Sequence, residues 1–578
     1  MMYQGGKEDK NFNFQAGKLY GHFYKYCAPP PSCMFKIDFL LPLLIPIGFF
    51  RRDFSMGMFH RVERWIGWLA ESSARAVIVV GLFSFALGAG LSLSAGIPAP
   101  QVHDEFGYLL LGDTFAHGRV TNPTPPLDEH FESIHMFTRP TYTSKYPPAQ
   151  GLALAVGELL GLPVIGVWLT VALACAAMCW MFQAWMPARW ALAGGLMTAL
   201  HPQVLEWSQN YWGGEVAMVG GALVVGGFRR LMDGPRARDA VWMALGLGIL
   251  ANSRPYEGFV LGGIVLVALL GWLIRARRTP IAAIFRQVFV PMALVLAVFG
   301  AQLAYYNWRV TGNALLMPYV LHERLYGIAP LFVFGSPKPE PVYHHREIQR
   351  LQEEYLAYYK GQHVSAGALV RATGQKLWTL AQGYLWSGLL LVGLAGLPWA
   401  LRRDARLGIA CGMLALFVMA ELICTWVFTH YAAPVFGLLL VLVLLSMRSL
   451  NAWRIGSRRV GRNLVRGLAL LFVISGFQVW AKMSAADPGR WYVRRQALVD
   501  ELQHEPGKSL LIVQYAPEHN PNREWVYNGA DLAGAKVIIA RDMGPAQNGE
   551  LIAHYADRKV WLVNADAPEP KLEPYPGD

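Results

Sequence analysis

Long apolar runs separated by short basic ones organise most of this chain. The first unbroken run extends from Ala76 to Gly96, and others lie near 163–185, 189–204, 215–228, 240–253, 257–274, 287–305, 378–400, 407–428, 432–447 and 466–482. A helix rises ~1.5 Å per residue, so about 20 apolar residues cross ~30 Å of hydrocarbon, and the pattern predicts about eleven membrane-crossing helices. Two apolar stretches do not fit as crossings. Ala149–Leu162 is short and reads as a re-entrant segment or a broken first half of the next helix, which a protein tolerates where it lines a cavity. Phe39–Phe50 is short and holds two prolines, so it reads as interfacial. Beyond the last run the pattern changes. A helical stretch (Val493–Gln503), strand-like runs (Ser509–Tyr515, Lys536–Ala540, Lys559–Ala565) and a helix candidate (Gly549–Tyr555) alternate, which predicts a small α/β domain over 483–578 with a partly parallel sheet.

Composition agrees with the apolar pattern and charge orients it. The chain is 54% hydrophobic and only 16% charged, whereas soluble domains carry about a quarter charged residues. The fold class expected is therefore an all-α polytopic membrane protein with a small extracytoplasmic α/β domain. Arg51, Arg52, Arg61, Arg64 and Arg75 precede the first span, and further basic clusters lie at 229–238, 275–286, 402–406 and 448–466. Basic residues stay on the cytoplasmic side, so residues 1–75 form a cytoplasmic or interfacial extension and the N-terminus is cytoplasmic. Residues 76–482 are then the membrane domain, with the loops 97–148 and 306–376 outside. An odd number of spans carries the C-terminal domain outside as well. These signals describe a multi-pass protein of an inner (plasma) membrane whose polar face looks into the periplasm or exterior. Lys and Arg outnumber Asp and Glu by 51 to 39, but the surplus sits in short inter-span loops, where it reports topology and lipid headgroups rather than nucleic acid. Six cysteines are scattered and none falls in the long polar loops, so no disulfide framework is implied.

Candidate chemistry gathers on that outer face. Asp104 and Glu105 are adjacent; if they start a helix their side chains diverge by ~100°, so one faces a cleft and the other supports it, unless both simply solvate a helix N-terminus. Tyr108 lies one turn on. Lys145 precedes Tyr146, Pro147 and Pro148, and the two prolines stiffen the chain and hold Tyr146 extended. A lysine fixed at the membrane surface suits the phosphate of a lipid whose tail lies in the bilayer; ordinary headgroup snorkelling is its alternative. Arg254 and Glu257 meet where one span joins the next, as a structural ion pair or a phosphate site. Tyr211 and Glu215, in the sequence YWGGE, offer a ring and a carboxylate to a sugar, or belong to an aromatic belt and a helix contact. His430 stands beside Tyr431 at a further outer turn, as an interfacial residue or an anion ligand. The loop 306–376, with His322, Glu323, His344 and His345, is long enough to cover a site.

An Asp-Glu pair followed by a tyrosine in the first outer loop, then a Lys-Tyr-Pro-Pro run entering the next membrane segment, resembles the C-type (GT-C) glycosyltransferase superfamily, in its protein mannosyltransferase, aminoarabinose transferase and related bacterial branches. The resemblance extends over roughly 76–450 in topology, and in motif over the first loop and its flanks. It implies a hexosyl- or pentosyltransferase that takes sugar from a polyprenyl-phosphate donor to a glycan, lipid or protein acceptor on the extracytoplasmic side. It further implies Asp104 as general base for the acceptor hydroxyl, Glu105 as its support, and Lys145, with Arg254, on the lipid phosphate. No bound metal or other cofactor is expected; other branches need a divalent ion, and the usual ligand pattern is not evident here. Such chemistry is reasonable, because a sugar on a lipid phosphate already has an activated leaving group and one carboxylate serves a single inverting displacement.

Two other classes compete. In a transporter or flippase of a lipid-linked or small anionic substrate, Glu215, Arg254 and Glu257 would line the path; such proteins show internal repeats and midplane charges, and neither pattern is visible here. A non-catalytic member would keep the fold and bind a lipid-linked sugar for a partner.

Overall fold

The computed structural model describes residues 57–275, 280–385, 388–485 and 489–576. Phe39–Phe50, Cys27 and Cys33 lie outside the described residues. Among the described ones, six helices are long and apolar enough to cross a membrane: Ser73–Ala95, Pro163–Trp185, Pro255–Trp272, Ile281–Thr311, Thr429–Asn451 and Val460–Met483.

The chain enters through α1 (Gly57–Ala70), an amphipathic helix with Trp65 and Trp68 exposed on one side. Glu63 fixes it by accepting from Arg462 at 2.9 Å and pairing with Arg466 at 2.7 Å. The first span, α2 (Ser73–Ala95), is capped by the Ser72 side chain, which accepts from the Arg75 amide. Then come α3 (His103–Ala116), the two-residue strands β1 (Met136–Phe137) and β2 (Thr143–Ser144), α4 (Pro148–Leu159) and the second span, α5 (Pro163–Trp185). Most of Ala149–Leu162 is therefore helical, within the 12 residues of α4, about 18 Å long, and Leu160–Leu162 turn the chain into α5.

Several expected spans are shorter than the apolar pattern suggested. The run 189–204 divides into α6 (Ala188–Ala199) and α7 (Pro202–Trp207), because Pro202 cannot continue a helix and His201 caps the new one by accepting from the Gln203 amide. Next are α8 (Gly214–Leu231), α9 (Ala237–Ala251), α10 (Pro255–Arg275) and α11 (Val290–Thr311). The loop 306–376 carries α12 (Pro318–Leu325) and α13 (Arg346–His363), and α14 (Ala366–Leu385) follows. The expected span 378–400 is not one helix. α14 starts well before it, Gly388 takes a left-handed turn at φ 77°, and two short helices, α15 (Leu389–Leu394) and α16 (Leu397–Arg403), complete the run. After α17 (Arg406–Leu422) a 3₁₀ turn, Thr429–Val435, leads into α18 (Phe436–Asn451), and α19 (Val460–Met483) closes the bundle. Apolar all round, α18 is the central helix, whereas Ile281–Thr311 is mostly exposed at the periphery.

The C-terminal domain has the predicted mixed sheet. α20 (Trp491–His504) precedes β3 (Lys508–Gln514), and β4 (Val537–Arg541), α21 (Pro545–His554), β5 (Arg558–Asn564) and the unpredicted β6 (Glu573–Pro574) follow. The strand order is β4-β3-β5-β6, parallel except at β6, with Leu511 opposite both Ile539 and Trp561. Alternation along β3 sends Leu511 and Val513 to a core with Leu502 of α20. Leu510 and Ile512 go to a second core that includes Phe106 and Leu110 of α3 together with Phe131, Met136 and Tyr142 of the opening loop. The domain is thus bolted onto the loop that carries the candidate residues.

A buried ion network reinforces this joint. Arg541, at the end of β4, pairs with Glu524 at 2.8 Å and with Glu347 of α13 at 3.0 Å, and donates to the Glu132 carbonyl at 3.2 Å. Replacing Arg541 by Ala strands Glu524 in a dry site, which costs about 3–5 kcal/mol when one member of a buried pair is removed. Arg541→Ala should lower the apparent melting temperature and expose the C-terminal domain to limited proteolysis; unchanged melting and cleavage would show that the network is dispensable.

Candidate active site

Helix α3 begins abruptly because Val102 is extended, at φ −141° and ψ 155°, and Asp104 and Glu105 occupy its first turn. Their side chains diverge as helix geometry requires. Glu105 turns inward, is 1% exposed, and accepts from the backbone amides of Gln101 at 2.6 Å and Tyr211 at 3.4 Å. It ties α3 to the junction before α8. Asp104 turns the other way, into a cavity, where it accepts a hydrogen bond from the Tyr146 hydroxyl. His103 Nδ1 stands 3.0 Å and His135 Nε2 3.8 Å from its two oxygens.

The hairpin β1–β2 brings Lys145 to the same place. Met136 pairs with Ser144, and the Lys145 amide donates to the His135 carbonyl at 3.1 Å. His135 itself is held in the left-handed region, at φ 66°, uncommon for a residue with a side chain. Gly107 lets the hairpin lie flush on α3: a Cβ there would meet Ser144 Oγ at 2.8 Å and the Tyr146 ring at 3.1 Å. Tyr108 stacks on Tyr146 with centroids 4.2 Å apart. Pro147 is extended and Pro148 opens α4, so the proline run converts the hairpin directly into a helix. Lys145 ends 5% exposed, over the rings of Tyr319 at 4.8 Å and Tyr146 at 5.5 Å.

One cavity of about 410 Å³ gathers Asp104, Tyr108, Lys145 and Tyr146 with Arg254, Glu257 and His430. Arg254 lies over the Tyr431 ring at 5.0 Å and donates to the Trp212 carbonyl at 3.5 Å. Its anticipated ion pair with Glu257 is not formed, and among the described residues neither Lys145 nor Arg254 has a carboxylate within 4.0 Å. Lys145 is buried and Arg254 partly buried, and both line the same cavity. Tyr211 and Glu215, expected to touch a substrate, do not line the cavity. Tyr211 donates its hydroxyl to the Pro98 carbonyl at 2.9 Å, and the fully buried Glu215 accepts from Gln150 at 3.1 Å, so both brace the wall from behind. The paired His344 and His345 turn away to Glu132, at 3.0 and 3.6 Å.

Sequence reasoning missed His135, Tyr319 and Asn522 as lining residues. His135 sits in an apolar stretch without helical or strand periodicity and is placed by hairpin register alone. Tyr319 and Glu323 come from α12 and Asn522 from the loop after β3, so the covering loop and the C-terminal domain both reach the cavity.

Burial works against ionisation of Asp104, but His103, His135 and Lys145 around it outweigh burial and hold the carboxyl well below the usual carboxylate range. It is an ionised acceptor of protons at neutral pH. Burial lowers the Lys145 ammonium, while Glu323 and Asp104 support its charge. Asp104 also belongs to the one grouping among the described residues that can hold a metal: His103, Asp104 and His135 present ligand atoms within 4.8 Å of one another.

No family model matches the chain, and no curated protein matches its sequence. Among solved structures it is similar to the archaeal oligosaccharyltransferase AglB from Archaeoglobus fulgidus, in complex with an inhibitory peptide and a dolichol-phosphate. The identity is 13% and the TM-score 0.47, over 85% of this chain and 69% of AglB. It is also similar to ArnT from Cupriavidus metallidurans in the apo state, at 14% identity and TM-score 0.45, over 84% of this chain and 92% of ArnT. These likenesses are too distant to assign an activity, which has to rest on the site itself.

Burial pushes the Glu105 carboxyl up to about 8, helped by the Asp104 charge and opposed by the two backbone amides. In the fold it therefore keeps a proton that the unfolded chain, with an ordinary value of 4.5, has released. Stability falls as pH rises through that window. The apparent melting temperature should decline between about pH 5 and about pH 8, and Glu105→Gln should flatten that part of the curve; parallel curves for the two proteins would refute a raised Glu105.

Proposed function

We propose that this protein is a membrane glycosyltransferase of the C-type kind, which moves a sugar from a polyprenyl-phosphate donor to an acceptor on the extracytoplasmic face of an inner (plasma) membrane. The observation that carries this reading is a pair of cations without carboxylate partners, the buried Lys145 and the partly buried Arg254, lining the same cavity as an ionised Asp104. Cations withdrawn from water without carboxylate partners call for an anion, and the site lies where apolar helices meet polar loops. A phosphate with an apolar tail meets both conditions.

In the mechanism, Lys145 and Arg254 hold the donor phosphate. Arginine offers a planar fork and lysine a compact point charge, and both stabilise the charge that grows on the departing oxygen. Asp104 accepts the proton of the acceptor hydroxyl as its oxygen attacks the anomeric carbon. The bond from that carbon to the phosphate oxygen breaks, its electron pair leaves with the polyprenyl phosphate, and the configuration inverts. Tyr146 and His103 orient the carboxylate, and Glu105 fixes the helix that bears it.

In proteoliposomes with a radiolabelled polyprenyl-phosphate sugar, Asp104→Asn should lower kcat for transfer by about 10²–10⁴-fold, the range of a general base. Lys145→Ala should raise the KM for donor and lower kcat as well, because the ammonium both binds the phosphate and stabilises the charge it gains. Full transfer by Asp104→Asn would remove the central residue of the mechanism.

The grouping of His103, Asp104 and His135 favours a second reading, in which these residues hold a divalent cation that supplies Lewis-acid charge beside the phosphate. Transfer is expected to survive dialysis against EDTA, because Asp104 already has Tyr146 and His103 as partners. Loss of transfer on EDTA treatment, reversed by Mn²⁺ or Zn²⁺ and reproduced by His135→Ala, would instead assign Asp104 to the metal.

A further inference from the structure

Part of the cavity wall has a chemistry different from that of the two cations. Lys145 and Arg254 are the lysine and arginine side chains that line the cavity among the described residues. Gln352 and Tyr355 of α13, Trp426 of the segment after α17, and Asn522 of the C-terminal domain line it too. Gln352 is 5% exposed, yet its side-chain amide makes no hydrogen bond to another described residue. Asn522 donates through Nδ2 to Asn520 at 3.2 Å, and its carbonyl oxygen has no partner among the described residues. Tyr355 and Trp426 stand with ring centroids 5.2 Å apart.

This wall is built rather than accidental. The loop bearing Asn522 follows β3 and is pinned on both sides. Asp566, just after β5, accepts from the Ala516 amide and from His519 Nδ1, each at 2.9 Å. Glu524 accepts from the Tyr515 hydroxyl at 2.5 Å and pairs with Arg541 at 2.8 Å. Arg350, two residues before Gln352 on α13, donates to the Pro517 carbonyl at 3.2 Å and joins loop to helix.

We propose that this wall is the acceptor subsite and that the acceptor is a neutral carbohydrate, attacked through one of its hydroxyls. The inference rests on the sugar-transfer reading above. A side-chain amide offers donor and acceptor together, as do neighbouring hydroxyls of a sugar, and an aromatic ring covers the apolar C–H face of a pyranose. A lipid phosphate as acceptor would need cations of its own, but Lys145 and Arg254 serve the donor. An extended peptide is commonly held along a strand edge, whereas this wall consists of a helix and two loop segments.

The test uses the full chain in proteoliposomes with a radiolabelled polyprenyl-phosphate hexose. Acceptors are a panel of neutral gluco-, galacto- and manno-oligosaccharides, a Ser/Thr-rich peptide and a phosphorylated glycolipid. Label should pass to a neutral oligosaccharide. Asn522→Ala and Gln352→Ala should each raise the KM for that acceptor about tenfold, with the donor KM little moved, as expected for loss of a hydrogen bond made in ground and transition states alike. Lys145→Ala should show the reverse split, and melting curves identify any variant that fails to fold. Transfer to the peptide or to the lipid phosphate, or oligosaccharide transfer with unaltered KM in both variants, overturns the assignment while leaving sugar transfer standing. A donor that is never cleaved overturns the transfer reading, and this inference with it.

Discussion

Keeping Lys145 and Arg254 charged, largely withdrawn from water and without carboxylate partners is the constraint on which this cavity depends. Withdrawing an ion from water costs several kcal/mol even after relaxation. The rings of Tyr319, Tyr146 and Tyr431 return about 0.5–2 kcal/mol each. The balance has to be met by rigidity elsewhere. The hairpin, the proline run and the close approach at Gly107 prevent Lys145 from swinging out to solvent, and the Arg254 bond to the Trp212 carbonyl does the same for the guanidinium. A site held this way is an electrostatic socket for an anion.

Helix α3 connects that socket to the rest of the molecule. One of its faces stacks Tyr108 on Tyr146 and carries Asp104 into the cavity. Another puts Phe106 and Leu110 into the core of the C-terminal domain, where Phe106 also stacks on Tyr527 at 4.7 Å. The domain is therefore part of the support of the carboxylate. Arg541 extends the same support to α13, so the cavity wall that α13 provides and the helix that bears Asp104 are referenced to one sheet.

Much of this was legible in the sequence, for identifiable reasons. The apolar runs, the mixed C-terminal sheet and the divergence of Asp104 from Glu105 follow from periodicity and helix geometry, whereas grouping Asp104, Lys145 and Arg254, which line one cavity, came from the family resemblance. What escaped depends on long-range register or on breaks inside apolar runs. Hydropathy averages over residues such as Pro202 and Gly388, so it reads 189–204 and 378–400 as single spans where the backbone turns. Tyr211 and Glu215 looked like a sugar site because residue type does not reveal which face of a wall a side chain occupies. His135 and Asn522 had no local signal, since one is placed by a hairpin and the other by a domain far along the chain.

The charges explain why a carboxylate can share a dry cavity with a phosphate. At 4 Å two like unit charges repel by about 4 kcal/mol at an effective dielectric constant of ~20. Before transfer Asp104 and the donor phosphodiester each carry one negative charge, and Lys145 and Arg254 oppose the pair. During transfer the phosphate gains a second charge as its bond to the sugar breaks, while Asp104 loses its own by taking the acceptor proton. The total charge in the cavity does not change; it moves from the carboxylate to the phosphate, toward the cations. A general base and two cations lining one cavity thus let bond breaking and proton transfer offset each other, which neither group accomplishes alone.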